Sequence, residues 1–431
     1  METALIAIFI LGYTLIALEH RLHVDKAATA ILIGAISWLV IFGVPLFTGG
    51  SIPPTVETGL LHHLSEAAAI LFFLLGAMTI VEVIDSYDGF RFLLQLMRVR
   101  QVWSFLGILV MLTFFLSAVI DNLTTTLLMV SLLQKAIPSE QRNVRLLGAS
   151  LIVLAANAGG AWSPLGDVTT TMLWIKGCIT ELNIIKRVFI PSILSTLIPL
   201  FIMARSFKGA SLKVHEALSQ GEEAIPSRVS LAVFIVGIGG ILAVPILKLI
   251  FHIPPFLAML LAMGVVWLIT EIFYRRLKNQ VDEPTRLRVT SALEKIDTPS
   301  LLFFLGILLA VGALGEVGIL RWAAQALNQT LGNLDVVVYL MGLLSSIIDN
   351  VPLVAAAMEM YPLSEFPTDH RLWEFMAYAA GVGGNLLIIG SAAGVIAMGM
   401  ERIEFFWYLR RVSWIAFLGY TAGALAYILL A

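Results

Sequence analysis

Three aspartates stand inside stretches that are otherwise almost wholly apolar. They are Asp121 in IDNLTTT (120–126), Asp167 in NAGGAWSPLGDVTTT (157–171) and Asp349 in IDNVP (348–352). An ionisable side chain among hydrocarbon is costly unless it is paired or used. Each of the three has amide and hydroxyl neighbours. Asn122 and three threonines, Thr124 first, follow Asp121; Asn157 precedes Asp167, and Thr169 and Thr170 follow it; Ser345 and Ser346 lie one turn before Asp349, which Asn350 follows. Carboxylate, amide and hydroxyl oxygens, with carbonyls freed at helix breaks, can replace the water shell of a hard monovalent cation such as Na+. Half-helix C-termini would add negative dipole ends. A proton and a cation can also compete for one such carboxylate, since each stabilises it in place of the other. That competition is the minimum chemistry of an exchanger.

Plainer roles fit the same residue types. An Asp at a break can cap a half-helix, Asn157 and Asn385 can satisfy backbone groups where glycines unwind the chain, and Thr in an apolar helix often bonds its own i−4 carbonyl. Recurrence weighs against the plain reading: LSAVIDN (116–122) returns as LSSIIDN (344–350). The same spacing carries Asn157 onto Asn385, Ser163 onto Ser391, Gly166 onto Gly394 and Met172 onto Met400, and FFLLG (72–76) resembles FFLG (303–306). Glu82, Asp85, Glu316 and Glu359 read as interfacial. The seven histidines fall in loops or at segment ends, which argues against a metal site or buried proton relay, and Cys178 reads as an inert small residue.

The elements that must hold these residues lie in a bilayer. Of 431 residues 59% are hydrophobic and only 13% charged, with a formal net charge of −2, against about 25% charged residues in soluble domains. The lack of a basic excess disfavours nucleic acid as a partner, and one cysteine excludes a disulfide scaffold. Apolar runs long enough to cross are expected at roughly 3–18, 28–47, 66–84, 188–204, 229–251, 256–274, 299–314 and 405–429, given the ~20 residues a crossing needs. No basic residue precedes the first run, so it reads as a span and not as a signal peptide. Segments 101–135, 144–176, 334–360 and 371–400 are irregular, with polar centres. Most of the 27 basic residues sit in the loops at 21–26, 91–100, 135–145, 205–228, 275–298 and 402–411. Positive-inside bias places those loops in the cytoplasm. Segment 101–135 then begins and ends on one side, as a re-entrant hairpin would, and 334–360 becomes a second hairpin from the other face.

The expected fold is therefore an all-α polytopic membrane protein. It has inverted structural repeats, two re-entrant helical hairpins and two broken transmembrane helices. N-terminal helices cover 1–59; a first repeat, 60–204, holds the hairpin at about 101–135 and the broken helix at about 144–176. A cytoplasmic loop at 205–228, two helices over 229–274 and a second cytoplasmic loop at 275–298 follow, both loops read as linkers. The second repeat, 299–431, holds the hairpin at about 334–360 and the broken helix at about 371–400. Inverted repeats with broken helices meeting at the midplane are a secondary-transporter architecture. No Gly-x-x-x-x-Gly-Lys-Ser/Thr loop is present to use ATP.

IDNLTTT, NAGGAWSPLGDVTTT, SSIIDNVP and GGNLLIIGSAAGV resemble the motifs of NhaD-type Na+/H+ antiporters, from about residue 60 to the end. Those antiporters sit in the ion transporter superfamily with arsenite and dicarboxylate carriers. The resemblance implies export of cytoplasmic Na+, or Li+, for external H+, a part in pH homeostasis, no enzymatic activity and no cofactor beyond the transported ions. It carries functional roles to Asp121, Asn122, Asn157, Asp167, Thr169, Thr170, Ser345 and Asn350, with Asp349 adjacent. The chain departs from the family at Asn385 and Ile388, where relatives carry hydroxyl side chains. The expected cation and proton site is Asp121, Asn122, Thr124, Asn157, Asp167, Thr169, Thr170, Ser345, Asp349 and Asn350, with Asn385 and Ser391 as secondary candidates. The Na+ ion itself is expected at Asp121, Asn122, Asn157, Asp167, Asp349 and Asn350. The lipid bilayer is the expected surroundings, in a cell (inner) or an organelle membrane, and the architecture suggests a homodimer. The rivals are a carrier of a dicarboxylate, another anion or arsenite on the same scaffold, and an intramembrane aspartyl protease. Dicarboxylate relatives carry Ser-Asn-Thr at the hairpin tips where this chain has Asp121 and Asp349. A protease would want Gly-x-Gly-Asp where the chain reads Pro164-Leu165-Gly166-Asp167.

Overall fold

In the computed structural model the described residues are 1–17, 24–47, 54–96, 99, 101–205, 225–278 and 284–430. Most of the loop expected at 205–228, its residues 206–224, and the basic residues Arg21, Arg98 and Arg100 lie outside them. Every regular element among the described residues is helical. Eight of the helices are long and apolar enough to cross a membrane, so this is a multi-pass integral membrane protein.

The chain opens with α1 (Glu2–Ala17), α2 (Lys26–Phe47) and α3 (Pro54–Ser86). At 16 residues α1 is about 24 Å long, short of the ~30 Å hydrocarbon core, although the sequence reads there as a span. α3 begins well before the expected 66 and carries His62 and His63 inside a helix instead of at a segment end. α4 (Arg91–Leu96) leads into α5 (Val102–Ser117), α6 (Asn122–Ala136), α7 (Arg142–Ala161) and α8 (Val168–Ile175). Next come α9 (Glu181–Ala204), α10 (Ser227–Phe251) and α11 (Pro255–Leu277). The stretch expected as a plain loop at 275–298 contains a 3-10 turn (Pro284–Leu287) and α12 (Val289–Glu294), whose Val289 and Ala292 are buried. The last third holds α13 (Thr298–Glu316), α14 (Ile319–Leu331), α15 (Leu334–Leu344), α16 (Asn350–Met360), α17 (Arg371–Gly383) and α18 (Ala392–Glu401). It ends with α19 (Phe405–Tyr408), which continues through a π-helical turn into α20 (Trp414–Leu430).

Contacts fix the direction of each helix around the breaks. Leu106 of α5 and Leu133 of α6 both flank Gly148 of α7, while Phe114 lies against Gly159. Asn122, at the start of α6, reaches Asn157. Hence α5 runs parallel to α7 and α6 antiparallel, and α5 and α6 form an antiparallel pair with its tip at 118–121. In the last third, Arg371 pairs with Asp335 and Ser345 meets Ala380, so α15 runs parallel to α17. Tyr361, just past α16, packs on Phe366 near the start of α17.

The two broken helices run in opposite senses. Arg145 of α7 holds Glu401 at the end of α18 at 2.6 Å, and Gln134 reaches the Met400 carbonyl. At the other end Lys176, past α8, holds Glu359 of α16 at 2.7 Å and Glu66 of α3 at 3.1 Å. Thr180 bonds Asp369, which precedes α17. Around this unit α2 packs on α13, through the facing Gly34 and Gly306, and α9 on α20. α10 and α11 keep large exposed apolar side chains such as Ile246, Leu261 and Leu268, as lipid contact requires.

Candidate functional site

Asp121 starts α6 and accepts from Thr124 twice, at Oδ1 from the backbone N–H (2.9 Å) and at Oδ2 from the hydroxyl (2.7 Å). Asp349 starts α16 and accepts from the Val351 N–H at 3.2 Å. Asp167 starts α8 and accepts a long 3.4 Å bond from the Thr169 N–H. Ser391 starts α18 and accepts from the Gly394 N–H at 3.2 Å. The capping role open to a single Asp is therefore filled by all three, because a short side-chain acceptor satisfies the orphan donors of a helix's first turn. Pro352 fits the start of α16 for a related reason: the first turn needs no donor from it.

The breaks also correct the repeat register. Ser117 Oγ donates to the Ala156 carbonyl (2.6 Å) and Ser345 Oγ to the Ala380 carbonyl (2.8 Å). Gly160 meets Gly166, and Gly384 meets Gly390. The α5–α6 and α15–α16 pairs keep the spacing read from the sequence, while the broken helices are displaced from it by about one helical turn. Ser391 thus answers to Asp167 and not to Ser163, and Gly390, not Gly394, answers to Gly166. Asn385 likewise is not the counterpart of Asn157. Shorter helices in the second half, 11 and 13 residues in α16 and α17 against 15 and 20 in α6 and α7, absorb the turn, and the matching letters had hidden it.

A chain of side-chain amides joins the halves. Asn122 Nδ2 donates to Asn157 Oδ1 at 3.0 Å. Asn157 Nδ2 donates to Asn385 Oδ1 at 2.9 Å and to Ser391 Oγ at 2.8 Å. Asn385 Nδ2 reaches the Leu154 carbonyl, and Tyr408 donates to the Asn385 carbonyl. Asn350 Nδ2 donates to Asp167 Oδ2 at 3.3 Å. Asn157 is fully buried and Asp167 only 2% exposed. The Thr169 and Thr170 hydroxyls are buried and have no hydrogen-bond partner among the described residues.

Asp121, Asn122, Asp167, Asp349 and Asn350 line one cavity of about 50 Å3, together with Lys26 and Ser300. That is room for a few water-sized particles. Lys26, Leu123, Ser300 and Ala392 are shared with an open cleft of about 580 Å3 beside Asp25 and Asp297. Thr124 touches this set through Asp121. Ser345, Thr169, Thr170 and Asn157 stand behind the lining, with Ser345 spent on a backbone carbonyl. Lys26 and Ser300 were not expected in the site. Lys26 opens an apolar run, and that position was the one signal that could have marked it.

The negative helix ends expected at the centre are there, at the close of α5, α7, α15 and α17, and the positive starts of α6, α8, α16 and α18 join them. Away from this centre, His63, Glu66 and Glu359 bring ligand atoms within 4.8 Å of one another, in the wall of a cavity of about 620 Å3. Glu66, Glu359 and the histidine pair therefore share one charged pocket. Lys176 already sits between the two carboxylates.

The profile of the citrate transporter family matches residues 13–383. Sodium/proton antiporter 2 of Arabidopsis thaliana is 44% identical over 428 residues, covering 98% of both chains. The Na+/H+ antiporter NhaD of Alkalimonas amylolytica is 30% identical, covering 97% of this chain and 88% of its own. NhaD of Vibrio cholerae is 31% identical, covering 99% and 91%. Motif, coverage and identity agree, and the chain belongs to the NhaD-type antiporter family of the ion transporter superfamily.

Proposed function

We propose that the protein is a secondary active Na+/H+ antiporter that exports Na+, and Li+ as a close substitute, in exchange for protons. The observation that carries the reading is the convergence of Asp121, Asp167 and Asp349 on one small cavity. Three carboxylates with two amides form an oxygen-rich cage suited to a hard monovalent cation. The relatives named as sodium/proton antiporters support the same ion pair. In the proposed cycle a cation and protons occupy the carboxylates in turn, and the unloaded site is exposed alternately to the two faces. The antiparallel α5–α6 and α15–α16 pairs act as re-entrant hairpins of inverted repeats, entering from opposite faces. Opposite helix directions and ion pairs at the two ends support that arrangement. The cleft beside Lys26 lies on the side that the positive-inside count assigns to the cytoplasm.

A citrate-like anion is the second reading, since the family profile carries that substrate's name. Two features weigh against it. Fixed charges at Asp121 and Asp349 repel a carboxylate, and about 50 Å3 is far below the 300 Å3 or more of ordinary small-molecule pockets.

The test uses everted vesicles or proteoliposomes with a pH-sensitive dye. Added Na+ should dissipate an imposed proton gradient, and Asp121→Asn or Asp167→Asn should abolish the effect. A normal response in both variants sinks the site. No Na+ response in the unmutated protein between about pH 6 and 10, a span that brackets neutral and alkaline operation, sinks the function.

A further inference from the structure

We propose that Lys26 is a tethered competitor of the transported cation: its ammonium occupies Asp349 when the site is empty, and substrate binding must displace it. The inference rests on the Na+ reading above. Lys26 Nζ lies 3.8 Å from Asp349 Oδ2, with both side chains partly buried. It also stands 4.8 Å above the Phe303 ring, so its position is held from two sides. Among the described residues Asp349 is the one carboxylate within ion-pair distance of it. The other acids nearby are engaged: Asp25 accepts from the Ala27 N–H, Asp297 caps α13, and Asp121 is held by Thr124.

Position gives the pair its meaning. Lys26 lines both the inner cavity and the open cleft, so it stands where an incoming cation passes. It is carried by α2, which packs on α13 outside the hairpins, whereas Asp349 heads the second leg of a hairpin. One ion pair therefore joins the surrounding helices to the unit that holds the site. A bound Na+ supplies Asp349 with a positive charge, the ammonium withdraws, and the hairpin is released from α2. Two cations cannot share one carboxylate at contact distance without repulsion, so Na+ and the Lys26 ammonium exclude each other at Asp349, and Na+ occupancy brings release.

The experiment first records the Na+ response of the unmutated protein in proteoliposomes. It then compares half-saturating Na+ in Lys26→Gln and Lys26→Arg, with Na+-dependent thermal stabilisation of the detergent-solubilised protein as a readout independent of turnover. Removal of the competing charge should lower half-saturating Na+ roughly tenfold in Lys26→Gln, a difference of about 1.4 kcal/mol. Lys26→Arg should stay near the unmutated value. In an Asp349→Asn background the Gln substitution should produce no further shift in the binding readout, as a pairwise coupling requires. Unchanged or weaker Na+ binding in folded Lys26→Gln overturns the proposal, and so does an undiminished shift in the Asp349→Asn background. A normal Na+ response with either result leaves the antiporter reading standing. Absence of that response in the unmutated protein removes both.

Discussion

Asn157 shows how one neutral side chain can govern a charged site. It accepts from Asn122 and donates to Asn385 and Ser391, so it links the start of α6 to the break between α17 and α18. Asn157→Ala leaves the buried Asn122 Nδ2 and Asn385 Oδ1 without this partner, at about 1–3 kcal/mol in total. Transport assays should show half-saturating Na+ raised about tenfold or more, while the variant still inserts and folds. Unaltered Na+ kinetics would place the amide chain outside the ion's environment. The importance of this residue was legible in sequence, because an Asn among alanines and glycines in an apolar run is anomalous. Its partners were not, since equal letters at equal spacing suggested symmetry mates where the fold makes hydrogen-bond partners.

At the scale of elements, the breaks are set by capping residues and held by glycines. A Cβ on Gly159 would fall 2.2 Å from the Phe114 carbonyl oxygen, whereas one on Gly107 of α5 meets nothing within 4 Å. Gly159→Ala must separate α5 from α7 and should cost about 1–3 kcal/mol. Gly107→Ala should be neutral or gain up to about 1 kcal/mol. Thermal unfolding in detergent should rank them in that order, and equal stability would show that the α5–α7 approach is not tight. The breaks were readable: polar centres in four irregular apolar segments mark them, and Asp121 and Asp349 stand at the starts of α6 and α16. The one-turn displacement of the broken helices was hidden, because a helix insertion leaves the apolar pattern intact. Lys26 escaped for a different reason: a basic residue at the head of a span counts towards orientation, and its neighbours come from helices far away in sequence.

At the scale of the whole molecule, the α7–α8 and α17–α18 helices run in opposite senses, meet at the centre and are tied by ion pairs at both ends. Arg145–Glu401 closes one end and Lys176 with Glu66 and Glu359 the other. If the two antiparallel pairs enter from opposite faces, exposed positions near their open ends must face opposite solutions. Glu140 and Glu365 are such positions. In a Cys178→Ser background, Glu140→Cys should react with a membrane-impermeant thiol reagent only in everted vesicles, and Glu365→Cys only in right-side-out ones. Labelling of both from one side would refute the inverted arrangement.

The meeting of helix ends at the centre carries a consequence for what such a scaffold can carry. Four half-helices start there and four stop there, and the partial charges of the two kinds of end are of equal size and opposite sign. The backbone alone therefore leaves the chamber close to electrically balanced. Its polarity is decided by whichever side chains cap the starts, here three aspartates and one serine. With hydroxyl caps throughout, the same helices would no longer disfavour a carboxylate. Cargo of either sign can thus be selected on one unchanged backbone, which lets a cation exchanger match a profile named for citrate without any rearrangement of helices.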